Sequence, residues 1–328
     1  MPPRSTDPTA HPATAFTTAP ATPAAPATPA TPAGPGRTDR ARRVRRAFGG
    51  VLSCAALAVL VPLTSGQATA AGPTLTPDQQ LCSAPARHAA LAARLSQDIA
   101  DAIRDRDDAV SLTVKDADTG VTCAVHAGRH FDSASAIKAT IMGAVLRRAQ
   151  EQHRGLTRHE TGALHMMITY SDNDAATSLW LGLGRARVER FLAMSGMDST
   201  EPGPGDLWGL TQITAADEMR MLDVLTDRQD VLDAHWRAYG LRLMAGVTPS
   251  QRWGTPHGAP AGVSVHNKNG WLPRATRGWR VHSLGIFTGA GRDYRMVVLT
   301  DENGTMDYGV ETIERVAEVV HQDVGGAR

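Results

Sequence analysis

The order of helix-like and strand-like patterns constrains the fold of this chain more than any single motif does. From Pro85 to Arg106, apolar residues recur every four positions, which is the period of an amphipathic helix. Two short segments follow, 110–114 and 121–125, in which apolar and polar residues alternate as they do in β-strands. Asp118-Thr119-Gly120 supplies a turn between them, so the pattern predicts a β-hairpin.

A long helical region and three further strands complete this order. Helical patterns broken by glycine-containing turns run from Ser133 to about Leu243. Strand-like runs follow at 263–267, 281–287 and 296–300. The last helix places four apolar residues on one face: Val310, Ile313, Val316 and Val320. We therefore expect an α/β (α+β) fold, a five-stranded antiparallel sheet flanked by helices, with an all-helical lobe inserted at about 133–250. A cleft between sheet and lobe is the expected place for a site.

Two segments precede this domain. Half of the 20 prolines lie before Gly36, interleaved with Ala and Thr, so residues 1–41 are predicted to be a disordered extension. Residues 42–71 combine an arginine cluster, a short apolar run and Ala68-Thr69-Ala70, which is the pattern of a secretory signal peptide. An uncleaved signal anchor is the alternative, although the apolar run is short for a membrane span. Residues 72–328 would then be exported by a Sec or twin-arginine route and be secreted.

The charge distribution argues against nucleic acid as the main partner. Seven arginines and two acidic residues precede Ala71, so 27 of the 34 basic and 31 of the 33 acidic residues remain in the exported part. A slightly acidic domain lacks the basic surface that phosphate recognition requires. We expect a small-molecule or peptide partner, a monomer, and no membrane contact once the signal is cleaved.

Two cysteines remain after signal processing, Cys82 and Cys123. An even pair in an exported chain is a disulfide candidate, and two separate buried thiols are the alternative. Their spacing does not fit a Cys-x-x-Cys redox or metal site. His159-Glu160 and His165 are also too far apart for a helical zinc motif. The sequence therefore predicts no metal site and no cofactor.

Ser135 and Lys138 form a Ser-x-x-Lys motif at the predicted start of a helix. Residues three apart share a helix face, so the lysine can reach the serine hydroxyl. A serine becomes a nucleophile when a base takes its proton. A lysine serves as that base when burial, a second cation or a helix N-terminus lowers its pKa. The motif alone is short enough to occur by chance.

Two further motifs lie downstream. Ser171-Asp172-Asn173 precedes an apolar helix, where alone it would indicate a helix N-cap, with Asp172 as the capping residue. Lys268-Asn269-Gly270 ends the first of the late strands, where alone it would indicate a strand end and a turn. Their occurrence together with the Ser-x-x-Lys motif, in this order, favours one shared site.

With these three motifs the chain resembles the class A β-lactamases, which are penicillin-recognising serine hydrolases of the β-lactamase/transpeptidase-like superfamily. The hairpin before Ser135 and the phrases at 168–173 and 213–216 match that pattern. The resemblance spans about Pro85 to Val324. It implies the β-lactamase/transpeptidase-like fold and hydrolysis of β-lactam rings through an acyl-enzyme, an activity that gives antibiotic resistance.

The resemblance also implies a role for each matching side chain. Ser135 would attack the carbonyl, and Lys138 would be its base or proton relay. Ser171 would pass the proton to the leaving nitrogen. Lys268 would tune Ser171 and attract the substrate carboxylate. Asn173 would orient Lys138 and the side-chain amide of the substrate.

Other implied roles fall where the sequence departs from the family pattern. The backbone N–H groups of Ser135 and Trp271 would form the oxyanion hole. Trp271 is bulkier than the usual family residue, but the donor is backbone. Asn269 stands between Lys268 and Gly270 in place of the usual threonine, and its amide can still donate to a carboxylate.

Two assignments are less direct. Arg280 roughly matches the carboxylate-binding arginine of the family, with Arg277 and Arg274 as rivals and a plain surface charge as the alternative. The family deacylates through a glutamate in a Glu-x-x-x-Asn pattern. Glu201 is the nearby match, but Gly205 replaces the asparagine, so a solvated loop carboxylate is the alternative.

The favoured function is an exported serine acyl-hydrolase that opens β-lactam rings through a Ser135 acyl-enzyme, without a cofactor. One alternative is a D-Ala-D-Ala peptidase or esterase on the same scaffold. Another is a penicillin-binding protein that is acylated but deacylates poorly. The stretch from Ser135 to Ser171 is shorter than in most class A enzymes, which predicts a more open cleft. The partner would be a β-lactam or a D-Ala-D-Ala-type peptide.

Overall fold

The computed structural model describes residues 80–326, so the predicted extension (1–41) and signal peptide (42–71) lie outside the described residues. The helices are α1 (Ala89–Ile103), α2 (Lys138–Glu151), α3 (Arg158–Thr169), α4 (Asn173–Leu183), α5 (Arg185–Ser195), α6 (Ala215–Thr226), α7 (Ala234–Ala245) and α8 (Met306–Gly326). The strands are β1 (Cys82–Ser83), β2 (Ala109–Asp116), β3 (Thr122–Val125), β4 (Phe131–Asp132), β5 (Gln212–Ile213), β6 (Ser264–Pro273), β7 (Trp279–Gly289) and β8 (Arg292–Asn303). No helix in this part of the chain combines the length and apolarity needed to cross a bilayer.

The main sheet has the strand order β1-β3-β2-β8-β7-β6, and every neighbouring pair is antiparallel. Five of these strands are the ones predicted from the sequence, which confirms the α+β fold class. The predicted number of strands was wrong by one, because the two-residue strand β1 pairs with β3. Two residues are too few to show the alternation by which a strand is recognised. A separate pairing joins β4 to β5.

Strand β6 is longer than its sequence pattern predicted. The pattern indicated 263–267, with the Lys-Asn-Gly motif at its end. In the structure β6 pairs with β7 from Ser264 to Pro273, so the motif lies in the middle of the strand. Residues 266–270 are all buried. The strand continues through these polar side chains because their backbone groups are paired, although the side chains do not alternate.

Helices α1 and α8 pack against each other beside the sheet, with α8 on β7 and β8. The apolar positions predicted for the first helix are all buried, namely Leu91, Leu95, Ile99 and Ile103. They share a hydrophobic core with sheet residues such as Leu112 and Val298. Burying a side chain of this size contributes about 1.5–3 kcal/mol, so this face accounts for the attachment of α1.

The segment between β4 and β6 is helical apart from β5, and α2 lies at its centre. Helix α2 contacts α3, α4, α5, α6 and α7, and 10 of its 14 residues are buried. A helix that is buried on most sides is a core helix rather than a surface one. Helices α6 and α7 contact the sheet strands β2, β8 and β6. The N-terminus of α2 is therefore a rigid position for a functional side chain.

Cys82 and Cys123 form a disulfide, which confirms the predicted pair. The two residues are direct partners in the β1–β3 register, and both are buried. The bond joins positions 41 residues apart and closes a loop that contains α1 and β2. A cross-link over such a loop removes many conformations of the unfolded chain and stabilises the fold by about 2–4 kcal/mol.

Replacing both Cys82 and Cys123 with alanine should therefore lower the free energy of unfolding by about 2–4 kcal/mol. Urea unfolding of the oxidised chain and of the double variant measures the difference. As a control, a reductant should shift the midpoint of the natural chain and leave that of the double variant in place. Equal unfolding free energies for the two proteins would contradict the prediction.

Candidate active site

Ser135 lies in a short 3₁₀ turn, residues 134–137, that connects β4 to α2. Ala134 has a φ of 47°, a left-handed conformation that strains the backbone directly before Ser135. A hydrogen bond from Ser133 N to Thr211 O (2.8 Å) holds the turn in place. Ser135 is partly exposed, and its Oγ has no hydrogen-bond partner among residues 80–326. The hydroxyl is thus accessible and free to rotate towards a substrate.

Lys138 is the first residue of α2, and its side chain is fully buried. Its Nζ donates to Ser171 O (2.6 Å), Ser171 Oγ (3.2 Å) and Asn173 Oδ1 (2.7 Å). These bonds use all three protons of an ammonium group, and none goes to Ser135. Burial lowers the pKa of Lys138 to about 7, against the opposing charge of Asp172. Lys138 therefore exchanges a proton near neutral pH, as a general base must.

Ser171 lies between two lysines. Its Oγ receives hydrogen bonds from Lys138 Nζ (3.2 Å) and from Lys268 Nζ (2.9 Å). Ser171 has a φ of 58° at the junction of α3 and α4, and Asp172 caps α4 by accepting from Ala175 N at 2.7 Å. The two lysines occupy the acceptor positions of the hydroxyl, so its own proton is available for transfer.

Lys268 extends from β6 and is fully buried. Besides Ser171, its Nζ donates to Asn269 O at 2.7 Å. Burial, and secondarily the positive charge of Lys138, lowers the pKa of Lys268 well below the usual lysine value. Two lysines that share one hydroxyl in a buried site disfavour simultaneous protonation, which eases proton exchange through Ser171.

Gly270 brings β6 against the turn that carries Ser135. A β-carbon at position 270 would lie 2.9 Å from Ser135 N and 2.6 Å from Ala136 N, so a larger residue does not fit without movement of the backbone. Strand β6 is at the edge of the sheet, where alternate backbone groups have no strand partner. Ser135 and Trp271 thus come from adjacent segments at the same place, as two oxyanion-hole donors must.

Ser135 faces a cleft of about 270 Å³ between β6 and the loop before β5. Three of the sequence-predicted residues line it: Ser135, Asn173 and Trp271. The other lining residues are Ala134, Asp206, Leu207, Trp208, Gly209, Leu210 and Leu272. Most of the wall is therefore apolar, and one loop supplies half of it.

Asp206 and Trp208 are the charged and the hydrogen-bonded aromatic residue among the lining residues that the sequence analysis missed. Trp208 is fixed by a hydrogen bond from its Nε1 to Thr177 Oγ1 (3.0 Å), and Lys138 Nζ lies 4.8 Å from its ring centre. Asp206 is exposed and lines the cleft beside Ser135. The sequence did show an acidic and an aromatic residue a few positions after Glu201. They lie in a loop, where no helical or strand periodicity indicates which side chains face the cleft.

Glu201 is not among the residues that line the cleft. Its backbone exchanges two hydrogen bonds of 2.9 Å with Gln212, and its side chain is exposed. The chain then turns, and Trp180 Nε1 binds Gly205 O at 2.9 Å. This turn brings Asp206, five residues later, to the cleft in place of Glu201.

Asn269 is buried, with its amide engaged inside the protein. Its Nδ2 donates to Gln251 O (3.0 Å) and Trp253 O (2.9 Å), which uses both amide protons. Its Oδ1 accepts from Ser283 Oγ at 2.7 Å. Asn269 therefore holds the loop at 251–253 against the sheet and has no proton left to donate to a substrate.

Arg280 is also buried and does not line the cleft. Its Nη1 donates to the three backbone carbonyls of residues 276–278, and its Nε lies 3.4 Å from Asp132 Oδ2. The rivals Arg274 and Arg277 form ion pairs with carboxylates as well. None of the three arginines is among the residues that line the cleft.

The structure thus brings together Ser135, Lys138, Ser171, Asn173 and Lys268, and leaves Glu201, Asn269 and Arg280 outside the cleft. Within residues 80–326, no group of three or more His, Cys, Asp or Glu side chains is arranged to hold a metal ion. The arrangement suits acyl transfer to a serine, because it combines an accessible hydroxyl, a lysine that titrates near neutrality and a second hydroxyl hydrogen-bonded to two lysines.

Comparison with known proteins gives the family. Two solved structures have the same fold. One is a β-lactamase from Sphaerobacter thermophilus, with a TM-score of 0.61 and 18% identity, covering 71% of this chain and 96% of that one. The other is a β-lactamase from Xanthomonas campestris pv. campestris, with a TM-score of 0.62 and 16% identity, covering 72% of this chain and 99% of that one. An ancestral class A β-lactamase of Gram-negative bacteria is also similar, with a TM-score of 0.57 and 22% identity, covering 70% of this chain and 99% of that one. No curated protein matches the chain. The Beta-lactamase enzyme family matches residues 94–161 and 161–324, and the chain therefore belongs to that family.

Proposed function

We propose that this protein is a serine hydrolase that opens β-lactam rings through an acyl-enzyme on Ser135. The observation that supports this most is the hydrogen bonding of Ser171 Oγ to both Lys138 and Lys268, next to an accessible serine in a cleft. That geometry provides a nucleophile, a base and a route for protons in one place. The class A relatives share the fold, and the chemistry is inferred from these side chains.

In the proposed acylation, Ser135 Oγ attacks the carbonyl carbon of the ring and its proton goes to neutral Lys138. The negative charge on the carbonyl oxygen is stabilised by the backbone N–H groups of Ser135 and Trp271. When the C–N bond breaks, Ser171 gives its proton to the leaving nitrogen and regains one from Lys138. The product is an ester on Ser135 with the ring nitrogen protonated. The proton lost by Ser135 is thus balanced, through Lys138 and Ser171, by the one gained by the nitrogen.

We propose further that deacylation is slow, so that the acyl-enzyme accumulates. Hydrolysis of the ester requires a water molecule held by a base and a second polar group. Glu201 is not among the residues that line the cleft, and Asp206 is exposed in a loop where Gly205 replaces the asparagine of the family. Penicillin turnover should then show a burst equal to the enzyme concentration, followed by a slow phase.

We also propose that the protein acts as a monomer outside the cytoplasm, after export through a Sec or twin-arginine pathway. The support is the signal-like sequence at 42–71 together with the Cys82–Cys123 disulfide. Disulfides persist in oxidising environments and are rare in the cytoplasm. A cell fractionation experiment with antibody detection tests this, and protein found only in the cytoplasm would contradict it.

Mass spectrometry with a penicillin, followed over time, tests the central proposal. The natural chain should gain the mass of one penicillin on the peptide that contains Ser135, and Ser135→Ala should gain none. Ser199→Ala is the matched control, because Ser199 is exposed and does not line the cleft. An adduct that persists in Ser135→Ala would rule out the assignment of the nucleophile.

A further inference from the structure

The charges around the cleft differ from those expected for a site that binds a carboxylate. Asp206 is the one charged residue among those that line the cleft in the described part of the chain. Its carboxylate has no ion pair or hydrogen bond there, so its negative charge is not compensated locally. An uncompensated negative charge repels an anionic substrate and attracts a cationic one.

The arginines and lysines around this site are already bonded to other groups of the protein. Arg280 donates to the carbonyls of 276–278 and shares the carboxylate of Asp132 with Arg274, and Arg277 pairs with Asp301. Lys138 and Lys268 are fully buried, and both donate to Ser171. An arginine already paired with a carboxylate contributes little attraction for a second one.

The amide at position 269 is also unavailable to a carboxylate, which leaves Asn173 as the side-chain amide among the residues that line the cleft. Both amide protons of Asn269 go to backbone carbonyls of the loop at 251–253. The cleft wall consists largely of Leu207, Trp208, Leu210, Trp271 and Leu272. Desolvating a carboxylate against such a wall is unfavourable, whereas an apolar group gains free energy from the same burial.

We propose that this cleft selects acyl donors that carry an apolar group and no negative charge beside the scissile carbonyl, and that Asp206 is the residue that sets this selection. The inference rests on the proposed acyl-enzyme at Ser135. The substrate class is neutral esters and amides of apolar acids. For an ester, Ser135 Oγ bonds to the acyl carbon, the bond to the leaving alkoxide breaks, and the proton lost by Ser135 ends on the alcohol. Water then releases the acid and restores the serine hydroxyl.

A matched pair of acyl donors isolates the effect of charge. Benzylpenicillin and its methyl ester carry the same β-lactam ring and apolar side chain, and differ in the carboxylate. The rate of adduct formation on Ser135 is measured for the full chain by mass spectrometry, which separates acylation from deacylation. We expect the methyl ester to acylate Ser135 about tenfold faster than benzylpenicillin, because Asp206 repels the carboxylate and no cationic side chain is among the residues that line the cleft.

Asp206→Asn tests the assigned residue. This variant should raise the ratio of the benzylpenicillin rate to the methyl ester rate about fivefold, because only benzylpenicillin carries the charge that Asp206 repels. Raising the salt concentration should increase the rate at which benzylpenicillin acylates the natural chain, since salt screens repulsion between exposed charges. Salt should have no such effect on the Asp206→Asn variant. Asp198→Asn is the control, because Asp198 is an exposed acid between α5 and β5 that does not line the cleft.

The outcomes separate this inference from the proposed function. Faster acylation by benzylpenicillin than by its methyl ester, or a rate ratio that Asp206→Asn does not change, would overturn the selection while leaving the Ser135 acyl-enzyme intact. A rate with benzylpenicillin that falls as salt rises would overturn it too, because it would reveal a net attraction. If neither compound labels Ser135, the proposed function fails and the inference fails with it.

Discussion

Replacing Lys138 with methionine should slow acylation of Ser135 by about 10²–10⁴, because the reaction loses its general base. Methionine preserves most of the buried volume that Lys138 occupies at the start of α2, so the effect on folding is limited. The measurement is the rate of adduct formation with an activated ester or a penicillin. Lys115→Met is the control, since Lys115 lies on β2 and pairs with Asp223 (3.0 Å), away from the cleft.

The same prediction has a pH dependence. Lys138 acts as a base only in its neutral form, and its pKa is lowered to about 7. The acylation rate should therefore rise with pH through about 7 and level off above it, and should fall about tenfold per pH unit below it. This rise of the rate with pH should disappear in Lys138→Met. An unchanged rise in that variant would show that another group provides the base.

Replacing Gly270 with alanine should reduce acylation by about 10²–10³, the typical cost of losing one oxyanion-hole donor. The added methyl group would lie 2.6 Å from Ala136 N and 2.9 Å from Ser135 N. Both neighbours are backbone atoms, so no side-chain rotation relieves the contact, and the strand must move away from the Ser135 turn. The measurement is kcat/KM, or the acylation rate if turnover is slow.

Gly162→Ala provides a matched control for this substitution. Gly162 lies in α3, and a β-carbon there would meet no atom within 4 Å. Because alanine favours the helix more than glycine does, this variant should keep its acylation rate and be slightly more stable. Full activity in Gly270→Ala would contradict the proposed packing of β6 against the nucleophile turn.

Local patterns were sufficient to predict most of the secondary structure. The four-residue period of α1 marks its buried face, and the alternation in β2 and β3 marks a hairpin, whatever the rest of the chain does. The patterns failed at β1 and at the second half of β6. Strand β1 is too short to have a period, and β6 continues through a polar motif because its backbone pairs with β7.

The sequence by itself determined which side chains meet around Ser171. Lys138 and Lys268 are two of only three lysines after residue 71, and each belongs to a short motif whose order along the chain matches a known family pattern. Such motifs can be recognised because this chemistry tolerates few residue types at a given spacing. The Cys82–Cys123 pair was predictable for a similar reason, since removal of the predicted signal peptide would leave one possible pairing.

Only the tertiary structure decided which of the remaining candidates line the cleft beside Ser135. Asn269 turns its amide to the loop at 251–253, Arg280 turns to Asp132, and Asp206 reaches the cleft that Glu201 does not line. The physical reason is the same in each case. A polar side chain satisfies whichever hydrogen-bonding or charged partner the fold brings near it, and these partners come from loops and strands far away in the sequence. Loop geometry has no period, so residue type alone could not reveal those partners.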